Sequence, residues 1–142
     1  MENGWVFAVN AGSNTISVLK ALPYGLYLTD TVDSGGVLPI SVTANDDTVY
    51  VLNAGDANHA NNITGFHLNR SGKLAKIENS TQPLSDKAVG PAQVAFSPNG
   101  RILVVTEKGT NKLDSYVVNR FGQATNHKVT NSAGTTPFGF SF

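Results

Sequence analysis

Glu107, in the stretch "VVTEKG", is the residue best suited by type and position to do chemistry. A carboxylate at the end of an apolar segment can act as a general base or pair with a basic substrate. Asn10 and Asn53 stand in the corresponding places of "FAVN" and "YVLN". For Glu107 the alternative is a salt bridge to Lys108 or Lys112, or a solvated loop position. For the two asparagines it is a turn capped by the side-chain amide.

Ser41 and Gln93 are the polar residues at the start of two proline-led segments, "PISVTA" and "PAQVAFS". Gln93 can hydrogen-bond a ligand in a central channel, or it can bond to backbone or to buried water. No Ser-His-Asp set can be selected, because Ser and Asp occur in every part of the chain. Neither common glycine-rich phosphate loop is present. The sequence therefore indicates no complete catalytic set.

His59 and Asp56 lie close together in "GDANHANN" and could form half of a metal site. Zinc requires three or four protein ligands, and calcium requires more carboxylates than Asp56 supplies. We therefore predict no metal and no cofactor. His67 is expected to be structural within a strand, and His127 is expected to lie at the surface. The absence of cysteine excludes disulfides, Cys–zinc sites and a thiol nucleophile.

Composition limits the classes of partner. The chain has 142 residues, of which 40% are hydrophobic and 14% charged, as in one ordered domain. Ten basic residues balance ten acidic residues, so no electrostatic footprint for nucleic acid or an anionic membrane is present. No apolar run approaches the roughly 20 residues that span a bilayer, and "MENGWVFAVN" lacks the regions of a signal peptide. The Asn- and Gly-rich composition is compatible with a secreted or periplasmic parent protein.

The elements that must position these residues are strands, because apolar and polar residues alternate with period two. Three hairpins recur, each with a glycine-containing loop. Their predicted strands are Val6–Asn10 with Thr15–Leu19, Val49–Asn53 with Ile63–Leu68, and Ile102–Thr106 with Leu113–Val118. A less regular strand is predicted after each hairpin, at Leu26–Thr31, at Leu74–Ile77 and near Lys128.

Two markers repeat along the chain. A glycine follows the first strand of each hairpin, at Gly12, Gly55 and Gly109, with separations of 43 and 54 residues. A proline opens a short apolar strand at Pro39, Pro91 and Pro137, with separations of 52 and 46 residues. A period of roughly 40 to 50 residues in an all-β sequence is typical of propeller blades, each a four-stranded antiparallel sheet. A β-sandwich, which also needs many short strands, is the alternative.

The stretches "FAVNAGSNTISVL", "AFSPNGRILVVTEKGTNKLDSYVV" and "TPFGFSF" resemble the lactonase-type seven-bladed β-propeller family. That group includes 6-phosphogluconolactonase-like and carboxymuconate-cyclase-like proteins and has relatives among the YVTN-repeat propellers. The resemblance covers nearly the whole chain. It implies the propeller fold and, for the parent family, the opening or closing of a lactone ring at the axial face.

The sequence departs from this family in two respects. A seven-bladed member needs more than twice this length, whereas 142 residues supply about three blades. Enzymatic relatives tend to carry a "GPH" stretch at the start of a blade, and the matching stretch here is Gly90-Pro91-Ala92-Gln93, with Ala92 at the histidine position. If lactone chemistry needs that histidine, this segment does not supply it.

The predicted architecture is a partial propeller of about three blades, offset by one strand. Blade-like units are predicted near 1–35, 36–88 and 89–136, with a final strand at 137–142. Open blade faces are rarely left bare on a soluble monomer. We therefore expect either a longer parent chain or a homo-oligomer in which the strand Phe138–Phe142 pairs with the strand Val6–Asn10 of a neighbour.

Loops at one end of the blades are the expected binding face, because loops on a rigid scaffold usually carry function. The candidate residues for this face, which would take a small-molecule ligand, are Asn10, Ser41, Asn53, Gln93, Glu107 and Lys108. Two functions compete. The first is a non-catalytic segment for binding or self-assembly, and the second is a lactonase-type hydrolase or cyclase in which Glu107 is the weak catalytic candidate.

Overall fold

The computed structural model describes residues 4–142, which form twelve β-strands and no helix within that range. The first sheet contains β1 (Trp5–Asn10), β2 (Thr15–Leu22) and β3 (Gly25–Asp33). The second sheet contains β4 (Pro39–Asn45), β5 (Thr48–Asn53), β6 (Asn62–Leu68), β7 (Leu74–Lys76) and β8 (Gln82–Pro83). The third sheet contains β9 (Pro91–Phe96), β10 (Ile102–Glu107), β11 (Lys112–Val118) and β12 (Ala124–Asn131). Among residues 4–142 there is no helix of the kind that crosses a membrane.

All strand pairs are antiparallel between neighbours in sequence, except that β8 also pairs with β6. The prediction of repeated antiparallel sheets is therefore confirmed. Among residues 4–142 the first sheet has three strands, and β1 is the equivalent of β5 and β10. These three equivalent strands end at Asn10, Asn53 and Glu107, and each pairs with the strand that follows it.

Two apolar cores lie between the sheets. Successive residues of a strand point to opposite faces, so β5 contributes to both cores. Val49 and Val51 pack in the core shared with the first sheet, and Tyr50 and Leu52 pack in the core shared with the third sheet. The three sheets therefore stack in chain order, and the second sheet is covered on both faces.

The outer edge of the second sheet differs from the prediction of one strand at Leu74–Ile77. The edge consists of β7 and β8, which pair with opposite ends of β6. Between them Gly65 O accepts from Ile77 N at 2.9 Å, and Gly65 N donates to Ser80 Oγ at 3.0 Å. The Ser80 hydroxyl thus satisfies the Gly65 N–H where the edge strand is interrupted.

Residues 137–142, here called the tail, form no strand, so the predicted strand at Phe138–Phe142 is wrong for the single chain. A strand requires a backbone ladder, and the neighbouring β9 offers the tail side chains instead. Gln93 Nε2 donates to Phe140 O at 2.9 Å, and Phe140 N donates to Gln93 Oε1 at 3.1 Å. Thr106 Oγ1 donates to Phe138 O at 2.6 Å. Side chains of the third sheet therefore hold the tail.

The tail is nevertheless placed as the first strand of a next sheet would be. Phe140 N donates to the side chain of Gln93. In the same way, Val94 N donates to Ser41 Oγ at 3.2 Å. Ser41 lies two positions after Pro39, and Gln93 lies two positions after Pro91. Their partners Val94 and Phe140 lie three positions after Pro91 and Pro137. The contact between β4 and β9 is therefore repeated between β9 and the tail.

The turn that leads into the tail is also a repeat of an earlier one. Leu38 and Thr136, each immediately before a proline, have φ angles of 58° and 54°. This left-handed conformation costs a non-glycine residue roughly 1–2 kcal/mol, so a shared cause is needed. Asn14 Oδ1 accepts from Leu38 N at 2.8 Å, and Asn111 Oδ1 accepts from Thr136 N at 2.6 Å. An asparagine of the previous hairpin thus holds each turn.

Candidate functional site

The predicted binding face lies where the first strands of the sheets begin and the following strands end. Pro39 pairs with Asn53, and Pro91 pairs with Glu107. The loops that follow β1, β5 and β10 are at the same ends of their sheets. The antiparallel register therefore brings the start of each first strand and the candidate at the end of the next strand to one end of the sheet.

Asn10 and Asn53 both bond to protein groups. Asn10 Nδ2 donates to Thr15 Oγ1 at 3.0 Å and to Ser17 Oγ at 2.9 Å. Asn53 is fully buried, and its Nδ2 donates to Ser34 O at 3.1 Å. The amide of Asn53 thus fastens the segment that connects the first and second sheets. The contacts of Asn10 favour its turn-capping interpretation, whereas the contact of Asn53 with Ser34 holds a connector.

The candidates at the starts of the first strands, together with Lys108, also have partners in the chain. Ser41 Oγ accepts from the next first strand, and both polar atoms of the Gln93 amide bond to the tail. Lys108 Nζ donates to Pro91 O at 3.0 Å and lies 5.7 Å from the centre of the Phe138 ring. Gln93 therefore binds backbone, which was the alternative to a ligand.

Glu107 is fully buried and accepts several hydrogen bonds. Ser85 N donates to Oε1 at 2.9 Å, and Ser85 Oγ donates to Oε2 at 2.6 Å. Thr110 Oγ1 also donates to Oε2. Burial acts to raise the pKa of Glu107, but hydrogen bonds from Asp114, Ser85 and Thr110 outweigh it and lower the pKa below its ordinary value. Glu107 is therefore a buried carboxylate that fastens the connector between the second and third sheets.

Asp114 is a second fully buried carboxyl beside Glu107. Burial, and then the neighbouring Glu107 carboxylate, raises the pKa of Asp114 to about 9. Because its pKa lies above 7, Asp114 is a neutral acid at neutral pH, so the two adjacent carboxyls together hold one proton. Sequence reasoning missed this residue. The available signal was the period-two pattern of "KLDSYVV", which places Asp114 on the same face as the buried Tyr116.

His127 completes this group, here called the carboxyl cluster (Glu107, Asp114 and His127). The side chain of His127 is 24% exposed, and its Nε2 lies 2.5 Å from Asp114 Oδ1. Its ring stacks on Tyr116 with centroids 4.6 Å apart. Burial lowers the pKa of His127, which favours the neutral ring. The expectation that His127 lies at the surface is therefore wrong, because β12 carries its side chain inward against β11.

His59 and Asp56 contact each other in the loop that follows β5, with 2.8 Å between Nδ1 and Oδ1. Asp56 Oδ1 also accepts from the backbone N–H groups of Asn58 and His59. This pair therefore shapes its own loop. Within residues 4–142 no group of three or more His, Cys, Asp or Glu side chains is arranged to hold a metal ion.

A cavity of about 560 Å³ lies at the opposite end of the second sheet. Its lining comes from the turn after β4 and the turn after β6, at Asp46, Asp47, His67, Leu68, Asn69 and Arg70. His67 Nδ1 lies 3.3 Å from Asp47 Oδ2, and its side chain is about half exposed. None of the candidates for the binding face contributes to this cavity.

No protein-family model matches the chain, and no curated protein matches it. Solved structures do match. The chain superimposes on a 6-phosphogluconolactonase-like protein of Bacteroides fragilis with a TM-score of 0.78 and 17% identity, covering 96% of this chain and 38% of the other. The chain has a partial β-propeller fold. Each of the three sheets is one blade of that propeller, which confirms the predicted fold class and the structural resemblance.

Two further similar structures support the fold. The periplasmic gluconolactonase of Pseudomonas aeruginosa gives a TM-score of 0.69 at 22% identity, with 89% of this chain and 36% of the other covered. Hydrazine synthase of Kuenenia stuttgartiensis gives a TM-score of 0.68 at 17% identity, with 94% of this chain and 34% of the other covered. The chain spans less than two fifths of the length of each of these three structures. Because the names of these structures indicate different functions, the likeness carries the propeller fold alone.

Proposed function

We propose that the chain is a non-catalytic propeller segment that acts in self-assembly, joining further copies through its open first and third sheets. The observation that carries the proposal is the tail, which docks beside β9 where a next blade would begin. Within residues 4–142 no strand pairs with it. Propellers close with roughly four to eight blades, and two copies of a three-sheet chain supply six.

The distribution of exposed apolar side chains supports this proposal. Large exposed hydrophobic side chains in the described chain are Val6, Tyr24, Leu26, Tyr27 and Leu28 in the first sheet, Leu38 in a connector, and Val117, Phe121, Val129, Phe138 and Phe142 in the third sheet and tail. The second sheet, which has a neighbour on each face, contributes none of them. Contiguous exposed apolar surface commonly marks an interaction site.

The polar candidates fit a structural role. Asn53 and Glu107 fasten the connectors that enter the second and third sheets. Gln93 and Lys108 contact the tail or the start of β9. Side chains already engaged in this way would have to break native contacts before they could serve a substrate.

The mass of the particle in solution tests the proposal. One chain has a mass of 15.0 kDa. We expect light scattering coupled to size-exclusion chromatography to give at least twice that value, and we expect the mass to fall on dilution. A folded monomer that persists well above micromolar concentration would contradict the proposal, because closing two apolar blade faces should give at least micromolar affinity.

Lactonase-type hydrolysis or cyclisation is the second candidate function. It is favoured by the names of two similar structures, a 6-phosphogluconolactonase-like protein and a gluconolactonase. In such a reaction a polar axial pocket would orient water and polarise the lactone carbonyl. Glu107 would be the general base, although its carboxylate is buried and accepts from Ser85 and Thr110.

An assay of sugar-lactone and muconate-lactone hydrolysis separates the two candidates. We expect no turnover above background. The test compares the parent chain with Glu107→Gln and with Glu78→Gln, an exposed carboxyl that serves as the matched control. Turnover that Glu107→Gln abolishes and Glu78→Gln preserves, with both variants folded by circular dichroism, would favour the enzyme.

A further inference from the structure

We propose that the tail of one copy forms the missing first strand beside β1 of a second copy in one register, with Pro137 opposite Asn10, Phe140 opposite Ala8 and Phe142 opposite Val6. This inference rests on the proposed self-assembly and adds the residues that meet. The occupant of the open edge of β1 is thus a second copy of this chain.

The register follows from the two complete sheets, which agree with each other. In the second sheet Pro39 pairs with Asn53, and Val42 pairs with Val51. The residue after the proline has no partner, so the register shifts by one there. The third sheet repeats this pattern, with Pro91 opposite Glu107, Val94 opposite Val105 and the same shift after the proline.

β1 is the equivalent of β5 and β10, so the same register can be transferred to it. Asn10, Asn53 and Glu107 each pair with the first residue of the following strand. Ala8 therefore corresponds to Val51, and a tail that begins at Pro137 places Phe140 where Val42 lies. In this register, Pro137 takes the position of Pro39 and Pro91, the register shifts by one after the proline, and the apolar residues of the tail lie opposite those of β1.

The edge of β1 is free to take this strand. β1 pairs with β2 alone among residues 4–142. Val6, which should face the absent neighbour, is 36% exposed, whereas Val49 and Leu103 at the equivalent positions are 0% exposed. Phe142 of the tail is 58% exposed. Pairing would bring these two apolar side chains opposite each other and remove both from water.

The loop after β1 also lacks contacts that both later loops make. After β5, Ala54 N donates to Leu38 O at 2.8 Å and Gly55 N donates to Val37 O at 2.9 Å. After β10, Lys108 N and Gly109 N donate in the same way to the connector that precedes β9. Within the described range no connector carbonyl accepts from Ala11 N or Gly12 N.

In the assembled junction those donors would bond to the connector that leads into the tail of the other copy. The equivalent acceptors are Thr136 O for Ala11 N and Thr135 O for Gly12 N. Thr136 already has the φ angle and the bond to Asn111 that the equivalent Leu38 shows in a completed junction. The acceptor side of the junction is therefore preformed in the single chain.

A turn in the first sheet supplies a second point of contact. Within the chain, the turn at Gly72 packs against Trp5, and the turn at Gly122 packs against Thr48. Trp5 and Thr48 occupy equivalent positions in β1 and β5. The corresponding turn of the first sheet, at Tyr24 and Gly25, has no such neighbour, and Tyr24 is 87% exposed. The same packing would place this turn on Ile102 of the other copy.

Head-to-tail pairing of this kind uses two different surfaces, so it closes into a ring only if the rotation between sheets fits the copy number. The sheets already in the chain set that rotation. A closed pair of copies leaves no tail and no β1 edge unpaired, whereas an open assembly leaves one of each at its ends.

Cysteine pairs test the register, because the natural chain contains no cysteine. We expect Ala8→Cys/Phe140→Cys to form a disulfide between copies on mild oxidation, giving covalent dimers on a non-reducing gel. Val42→Cys/Val51→Cys is the matched positive control, since these two residues hold the same relation within one sheet. That control should form a disulfide within one chain. Ala8→Cys/Ser141→Cys, shifted by one residue to the other face of the strand, should give little dimer.

The outcomes separate the register from self-assembly itself. Dimers from the in-register pair alone support the inference. Oligomers in solution with no disulfide from that pair, or equal cross-linking by both inter-copy pairs, would overturn the register and leave self-assembly standing. A monomer in solution that does not cross-link would overturn both and assign the open faces to sheets outside this sequence or to another protein.

Discussion

Asp114→Asn should stabilise the protein at neutral pH, although it alters a fully buried polar residue. Burial and the adjacent Glu107 carboxylate raise the pKa of Asp114 from 3.8 to about 9. Between these values the folded protein holds a proton that the unfolded chain has released. Stability therefore falls as pH rises through this interval, by about 1.4 kcal/mol for each pH unit.

The expected magnitude follows from the interval. From pH 3.8 to pH 7 the free energy of unfolding loses about 4 kcal/mol through this group. Asparagine is neutral at every pH and keeps an oxygen for His127. Allowing for imperfect geometry, Asp114→Asn should raise the free energy of unfolding at pH 7 by about 1–4 kcal/mol.

The other members of the carboxyl cluster define where to measure. The lowered pKa of Glu107 adds stability that is present above its ordinary value and is lost as pH falls through the folded pKa. The lowered pKa of His127 acts in the same direction, with stability lost as pH falls below the ordinary histidine value. Above pH 7 the falling contribution of Asp114 is therefore the dominant one in this cluster, worth about 2 kcal/mol by pH 9.

Urea unfolding at fixed protein concentration, from pH 7 to pH 9, provides the assay. The parent chain should lose stability across this range, Asp114→Asn should lose much less, and the exposed control Asp86→Asn should follow the parent chain. The reasoning is refuted if Asp114→Asn lowers stability at pH 7 while the stability of the parent chain stays flat or rises towards pH 9. That result would mean that Asp114 is ionised in the folded protein.

Two further predictions concern contacts between sheets and with the tail. The buried hydroxyl of Tyr50, whose pKa burial raises to about 12, donates to Gly122 O at 2.8 Å and accepts from Ala124 N at 2.7 Å. Tyr50→Phe should therefore lower the free energy of unfolding in urea by about 1–3 kcal/mol, and an unchanged value would show that this bridge contributes nothing. Gln93→Ala removes both hydrogen bonds to Phe140, so amide exchange in the tail should speed up about fivefold to thirtyfold, equivalent to about 1–2 kcal/mol, with β5 unaffected. Unchanged tail exchange would mean that Gln93 does not hold the tail.

Most of the strand positions could be predicted because the signals are local. Period-two alternation located the hairpins, and the proline before each first strand marked the repeat. The edge of the second sheet was predicted less well. There the Ser80 hydroxyl accepts from Gly65 N in place of a strand carbonyl, and a serine in a polar stretch carries no mark of that role.

The candidate site shows the limit of local signals more clearly. Glu107, Gln93 and Asn53 were singled out as candidate polar residues, but the choice between ligand and protein partner was left open. Their partners lie 22, 47 and 19 residues away, at Ser85, Phe140 and Ser34. Asp114 and His127 were missed or misplaced, because their burial depends on how sheets and strands pack.

By itself, the sequence determined an all-β repeat and its strand order, because alternation and turn residues act over a few positions. Only the tertiary structure decided that two carboxyls share one proton and that the tail lies in the place of a next strand. Both depend on which distant segments meet and on how much water is excluded where they meet, and neither quantity is encoded in local spacing.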